Sequence, residues 1–105
     1  MGEKNSPDNA GGTEVLIRNQ VREPRRGRVF LLNDDYTTMD FVVHILMRIF
    51  NKNLQEAEQI MLVVHHGGRG ECGVYTLEIA ETKVRHVRNL AKEAGFPLRC
   101  DIELI

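Results

Sequence analysis

The chain has 105 residues, 42% hydrophobic and 28% charged, with a formal net charge of −1. That length supports one compact domain with a modest core, and the near-neutral charge gives no electrostatic reason to expect nucleic acid as a partner. Apolar runs such as Val29–Leu32 and Met61–Val64 are far shorter than the roughly 20 residues that cross a bilayer, the N-terminus has no apolar stretch of signal-peptide type, and two cysteines are too few for a disulfide framework; the expected setting is the cytoplasm, with no membrane contact.

Residues 1–27 stand apart. They contain Ser6-Pro7, Gly11-Gly12 and Glu23-Pro24-Arg25-Arg26-Gly27, and only Val15, Leu16, Ile17 and Val21 could bury anything. So few apolar side chains cannot offset the entropy of ordering the segment, which is expected to be a flexible arm. The folded domain is expected over 28–105. Val29–Leu32 reads as a buried strand, broken by Asn33-Asp34-Asp35-Tyr36. Thr37 is the expected N-cap of a first helix, with Asp40 three residues on as an approximate capping box. Val42, Ile45, Leu46, Ile49 and Phe50 form that helix's apolar face, and Asn51-Lys52-Asn53 stops it. Asn53 caps a second helix, with Glu56 at the capping-box position and Ala57, Ile60, Met61 and Val64 as its stripe. Gly67-Gly68 ends it.

A strand rich in Val, Tyr and Thr is expected from Cys72 to Ile79. A third helix follows from about Ala80 to Ala94, with Val84, Val87, Leu90, Ala91 and Ala94 inward, closed by Gly95 and Pro97. The last segment alternates, placing Leu98, Cys100, Ile102 and Leu104 on one face. The order is strand-helix-helix-strand-helix-strand. Three strands that bury one face under helices make a two-layer α+β domain.

Ser6 is the only serine and lies in the arm, which excludes a Ser-His-Asp hydrolase centred in the domain. Cys72 opens a strand with no cationic neighbour to lower its pKa, so it is a poor thiol nucleophile. His65 and His66 are successive on a helix and do not easily face one metal. Cys72 and Cys100 make no CxxC pair, so no metal or other cofactor is expected. Gly67-Gly68-Arg69-Gly70 follows a helix and lacks the Gly-Lys-Ser/Thr ending of a phosphate loop, and reads as a turn. His44 and His86 read as solvent-facing or packing residues. Asn33-Asp34-Asp35 is the most informative cluster. Alone it reads as a turn. Between a buried strand and a helix N-terminus, beside Met39, Val42, Met61 and Val64, it places polar acceptors at the mouth of an apolar pocket. Such a mouth suits a ligand with a charged amine at one end and a hydrophobic group at the other.

Asn33-Asp34-Asp35-Tyr36-Thr37 followed by Met39 resembles the signature segment of the ClpS adaptors. Met61-Leu62-Val63-Val64-His65, Cys72-Gly73-Val74-Tyr75, Ala80-Glu81-Thr82-Lys83-Val84 and Pro97-Leu98 extend the resemblance, in order, over about residues 28–103. One departure is Thr38, which stands where that family commonly has proline at the first helical position; slightly looser framing of the pocket, with function retained, is the expectation. The resemblance implies a non-enzymatic, monomeric adaptor with a three-stranded antiparallel sheet on three helices. It implies binding of N-degrons, proteins with N-terminal Leu, Phe, Tyr or Trp, and their delivery to the ClpA-type AAA+ unfoldase of the ClpAP protease. It assigns Asn33, Asp34 and His65 to the α-amino group, Met39, Val42, Met61, Val64 and Leu98 to the hydrophobic pocket, and Glu78 and Lys83 to unfoldase docking.

Two other readings compete. A non-catalytic ribosome or translation-factor contact domain of similar fold is expected to lack the amine-binding cluster, so Asn33, Asp34 and His65 discriminate against it. A small enzyme using Asp34, Asp35 and His65 as acid-base groups needs a substrate-positioning site that the sequence does not offer.

Overall fold

The structure, a computed structural model, describes residues 24–105, and most of the expected arm lies outside them. The elements are β1 (Arg26–Leu32), α1 (Met39–Arg48), α2 (Leu54–Gly67), β2 (Arg69–Thr76), α3 (Leu77–Ala94) and β3 (Arg99–Leu104). β1 is central in the sheet and antiparallel to both neighbours. Its last residue, Leu32, faces Arg69 on one side and Arg99 on the other. Opposite Val29 and Phe30 the register steps from Gly73 to Glu71, so Cys72 is the extra residue of a bulge.

Strand alternation explains the two layers. Val29 and Leu31 are fully buried under the helices, while Arg28, Phe30 and Leu32 take the opposite face. α2 and α3 pack on the sheet, and α1 packs chiefly on α2. The stripe of α1 is buried as the spacing predicts, at Val42, Ile45, Leu46, Ile49 and Phe50. So are Ala57 and Val64 of α2, and Ala80, Val84, Val87 and Ala91 of α3. Asn53 and Glu56 form both bonds of the capping box, at 2.8 and 3.0 Å. Gly68 and Gly95 cap α2 and α3 in the left-handed conformation.

Several boundaries differ from the sequence expectation, each for a tertiary reason. β1 begins at Arg26, which pairs with Thr76. β2 begins at Arg69, three residues before Cys72, because Arg69, Gly70 and Glu71 pair with Leu32, Leu31 and Phe30. α3 starts at Leu77 instead of Ala80, and the Leu77 N–H bonds to the Arg25 carbonyl at 2.8 Å. Ala94 is exposed in the last turn of α3, and Leu104 is exposed at the end of an edge strand.

Candidate functional site

The residues singled out after β1 form a tight loop. The Asp34 carboxylate organises it: Oδ1 accepts from the Tyr36 N–H at 2.8 Å and the Thr37 N–H at 2.7 Å, and Oδ2 accepts from the Thr37 hydroxyl at 2.8 Å. Thr37 is thereby committed to the loop, and the helix begins one residue later than expected. Thr38, at φ −72 and ψ 152, is the N-cap, and its hydroxyl accepts from the Phe41 N–H at 3.2 Å. Thr38 is therefore not the first helical residue, and Asp40 closes no capping box. The Thr38 hydroxyl makes a side-chain cap that proline could not make.

Burial alone would raise the Asp34 pKa. The Thr37 N–H and hydroxyl, the Tyr36 N–H and the nearby Arg99 outweigh it and hold the carboxyl below its ordinary value. A carboxylate offers about four lone-pair sites. Three are used within the loop, leaving one on Oδ2.

The sheet register brings Asn33 and His65 to the same end. The Asn33 N–H donates to the Gly68 carbonyl at 2.8 Å, tying the end of β1 to the end of α2. His65 is exposed in the last turn of α2. α2 can lie this close because Gly70 carries no side chain: a Cβ there would meet Val64 Cγ2 at 2.7 Å and the Ile60 carbonyl at 3.2 Å. On β1's other side Leu32 faces Arg99, so Leu98 precedes β3 beside Asn33. Thus the backbone places Asn33, Asp34, His65 and Leu98 toward the same end of the sheet.

The apolar set divides. Val42, Val64 and Leu98 are core residues with little exposed surface. Met61 is half-buried and Met39 is 44% exposed at the first residue of α1, so these two methionines offer the accessible apolar surface. Of two cavities of about 450 and 540 Å³, the first shares Leu98 and Arg99 with this end of the sheet and the second lies away from it. The first, between α3 and β3, is lined by Arg88, Lys92 and Arg99 against one carboxylate, Asp101. That charge disfavours an amine at the first cavity. The second is lined by Glu78 and Lys83, together with Ile49, Ile79 and His86. Glu78 is exposed in the first turn of α3. The Lys83 ammonium instead donates to the Ile49 carbonyl at 2.7 Å and lies 5.0 Å from the Tyr75 ring centroid.

Burial pushes the Cys72 thiol far up and the Cys100 thiol up to about 12, so both stay protonated at neutral pH. Among the described residues no three of His, Cys, Asp and Glu converge on a metal position, and no helix is long and apolar enough to cross a membrane. Sequence reasoning missed Thr37, Gly68 and Arg99 as parts of this end of the sheet. The Asp34-to-Thr37 spacing of an Asx-type turn is the signal that could have found Thr37.

A family model described as ATP-dependent Clp protease adaptor protein ClpS matches residues 22–101. The ClpS adapter protein of Nitratidesulfovibrio vulgaris strain Miyazaki F is 58% identical over 97 residues, 92% of this chain and 97% of that one. That of Wolinella succinogenes is 58% identical over 91 residues, 87% of this chain and 89% of its own. The solved structure of Agrobacterium tumefaciens ClpS2 bound to L-phenylalaninamide matches with a TM-score of 0.76 and 37% identity, covering 79% of this chain and all of the other. The chain belongs to the ClpS family of ATP-dependent Clp protease adaptors.

Proposed function

We propose that the chain is an N-degron adaptor. It captures proteins by a free α-amino group and a large hydrophobic first side chain (Leu, Phe, Tyr or Trp) and delivers them, as a cytoplasmic monomer, to the ClpA unfoldase of ClpAP. One observation carries this reading: the Agrobacterium relative binds L-phenylalaninamide. That ligand has a free α-amine, a benzyl group and no carboxylate, so it presents what an N-terminal phenylalanine presents.

The α-amine, with a pKa of about 7.7–8.0, is mostly charged at neutral pH and offers three N–H donors. The Asn33 side-chain carbonyl, the remaining acceptor site on Asp34 Oδ2 and a His65 ring nitrogen receive them. Each such charge-assisted bond is worth roughly 1.5–3 kcal/mol when desolvated. The first side chain enters between Met39 and Met61, over Val42, Val64 and Leu98, and its burial adds about 1.5–3 kcal/mol. Glu78 and Lys83 serve docking. They flank the C-terminal end of α1, whereas Met39 opens its N-terminal end. A ten-residue helix is about 15 Å long, so a peptide and an unfoldase surface can be held together without overlap.

The test is a fluorescence-anisotropy titration of Leu- and Phe-starting peptides against the same peptides N-acetylated. Free peptides bind and acetylated ones do not, because acetylation removes the charge and two donors. Equal affinity for both forms overturns the reading.

A further inference from the structure

β3 is an edge strand: among the described residues it pairs with β1 and with no strand on its other side. The register fixes which of its backbone groups are left over. The Ile105 N–H donates to the Arg26 carbonyl at 3.0 Å, and the pairing runs on from Leu104 to Arg99 without a shift. In an antiparallel ladder, residues alternate between bonding to the partner strand and facing away from it. Asp101 and Glu103 share the bonding parity of Ile105, so Cys100, Ile102 and Leu104 turn their N–H and C=O groups to the free edge.

Two cavities lie beside that edge, of about 450 and 380 Å³, and they adjoin, since Val84 and Arg88 of α3 line both. The first reaches Cys100 and the second Ile102. α3 borders the run with Glu81, Arg85, Arg88 and Lys92, three cations against one carboxylate. Arg88 and Lys92 are four residues apart, where like charges repel along a helix. Among the described residues neither is ion-paired, the bridges being those of Arg28 to Glu71 and Glu103. The helix dipole accounts for Lys92 in the last turn but not for Arg85 or Arg88. On the outer face of the sheet the same strand carries Arg99, Asp101 and Glu103, so only the helix side of the edge is basic. The spacing also fits an extended chain. Same-face side chains of a strand repeat every 6.8 Å or so, and four helical residues rise about 6 Å, so such side chains keep step with Arg88 and Lys92.

We propose that the free edge of β3 takes an extended acidic segment of a partner protein as a fourth strand, with acidic side chains at alternate positions turned toward Arg85, Arg88 and Lys92. Backbone bonds to Cys100 and Ile102 hold the segment, and charge selects it. The positions between face Asp101 and Glu103 and are neutral. A second copy of this chain is a poor occupant, because pairing two β3 edges brings the basic flanks of two α3 helices together.

The experiment uses the full chain and an N-acetylated, C-amidated hexapeptide alternating Glu with Thr, with Gln–Thr and Lys–Thr versions for comparison. None has a free α-amine, so the outcome is independent of the N-degron reading. Amide exchange read by NMR gives the geometry. In the free protein Asp101 and Glu103 are protected while Cys100 and Ile102 exchange fast. Glu–Thr peptide at ten times its dissociation constant slows Cys100 and Ile102 by about tenfold. Titrations give the selectivity. The ratio of the Gln–Thr to the Glu–Thr dissociation constant is expected at about three to ten, the scale of two or three exposed ion pairs, and the Lys–Thr peptide binds more weakly still. Arg88 and Lys92 are exposed, so Arg88→Gln with Lys92→Gln leaves the fold intact and brings the ratio toward one, while Arg88→Lys keeps it. Failure of the Glu–Thr peptide to bind, binding without protection of Cys100 and Ile102, or the same ratio in the double Gln variant overturns the proposal. Protection of these two amides in the free protein overturns it as well: protection that fades on dilution means that the edge pairs with a second copy, and protection that persists means that another segment of this chain covers it.

Discussion

Asp34 and Lys83 are both charged side chains that tie a loop or helix end to the fold, yet they leave the molecule different capacities. Asp34 spends three acceptor sites on Tyr36 and Thr37 at the end of the sheet and keeps one open. Lys83 donates a hydrogen bond to the Ile49 carbonyl, at the end of α1, and is otherwise flanked by the rings of Tyr75 and Phe50 at 5.0 and 5.8 Å. The first arrangement shapes a loop and still has an acceptor to offer. The second fixes α1 to α3 with much of its bonding turned inward. Charge at an element's end therefore predicts ligand binding only where the fold leaves part of that charge unused.

The sharpest test replaces one oxygen. In Asp34→Asn, Oδ1 can still accept from Tyr36 and Thr37, and the new amide can donate to the Thr37 hydroxyl. The loop survives, but the spare acceptor and the negative charge are gone. Binding of a Phe-starting peptide should weaken by roughly 2–4 kcal/mol, the cost of an ammonium left without its counter-charge. An unchanged dissociation constant at an unchanged melting temperature means that the carboxylate only shapes the turn. The same bonds set a pH dependence. The folded-state pKa of Asp34 lies below its ordinary 3.8, so the folded form takes up this proton less readily than the unfolded chain. The resulting stability is full above about pH 4 and is lost as pH falls through the folded value. Melting curves from pH 2 to 5 should therefore fall less steeply for Asp34→Asn than for the wild type.

Lys83→Met tests the other half of the comparison. It keeps an apolar stem against Phe50 and Tyr75 but removes the bond to Ile49. A hydrogen bond to a charged group contributes about 1.5–3 kcal/mol, and partial exposure of Lys83 reduces this to about 1–2. The expected result is a lower denaturation midpoint with peptide binding intact. If delivery to the unfoldase fails while the midpoint is unchanged, Lys83 acts by direct docking and its bond to α1 is incidental.

The apolar stripes of all three helices were legible because they depend on spacing within each helix. So were the Asn53–Glu56 capping box and the glycines that end α2 and α3. What failed depended on partners distant in the chain. Gly27 reads as part of a linker, yet it is buried in β1, where a Cβ would meet Ile102 Cγ2 at 2.6 Å. Arg69 and Gly70 read as part of a turn and Leu77–Ile79 as strand until β1 supplies the register. Lys83 reads as a surface residue because its acceptor, Ile49, is 34 positions away. At the site, the acceptor trio was legible only through the family resemblance. That Asp34 organises its own loop was the plainer reading of the same residues, and its bonds to Tyr36 and Thr37 bear that out.

The smallest effect concerns Thr38, where two neighbouring threonines compete for one role. Either can cap a helix by sequence; the Asp34 carboxylate decides by taking the N–H and hydroxyl of Thr37, which leaves Thr38 to accept from Phe41. Thr38→Ala removes that cap and should cost about 1 kcal/mol of stability. Thr38→Pro loses the same bond, but the residue already sits at φ −72, close to the angle a proline ring imposes. Fixing that angle restricts the unfolded chain and returns about 0.4–1 kcal/mol, so the proline variant should melt above the alanine variant and near the wild type. Met39 follows directly, so the two variants also separate helix framing from stability in peptide binding. If alanine weakens binding and proline does not, a fixed helix start is what the pocket needs. If proline melts as low as alanine, the Thr38 backbone is not held at the proline-compatible angle, and the hydroxyl bond alone accounts for the cap.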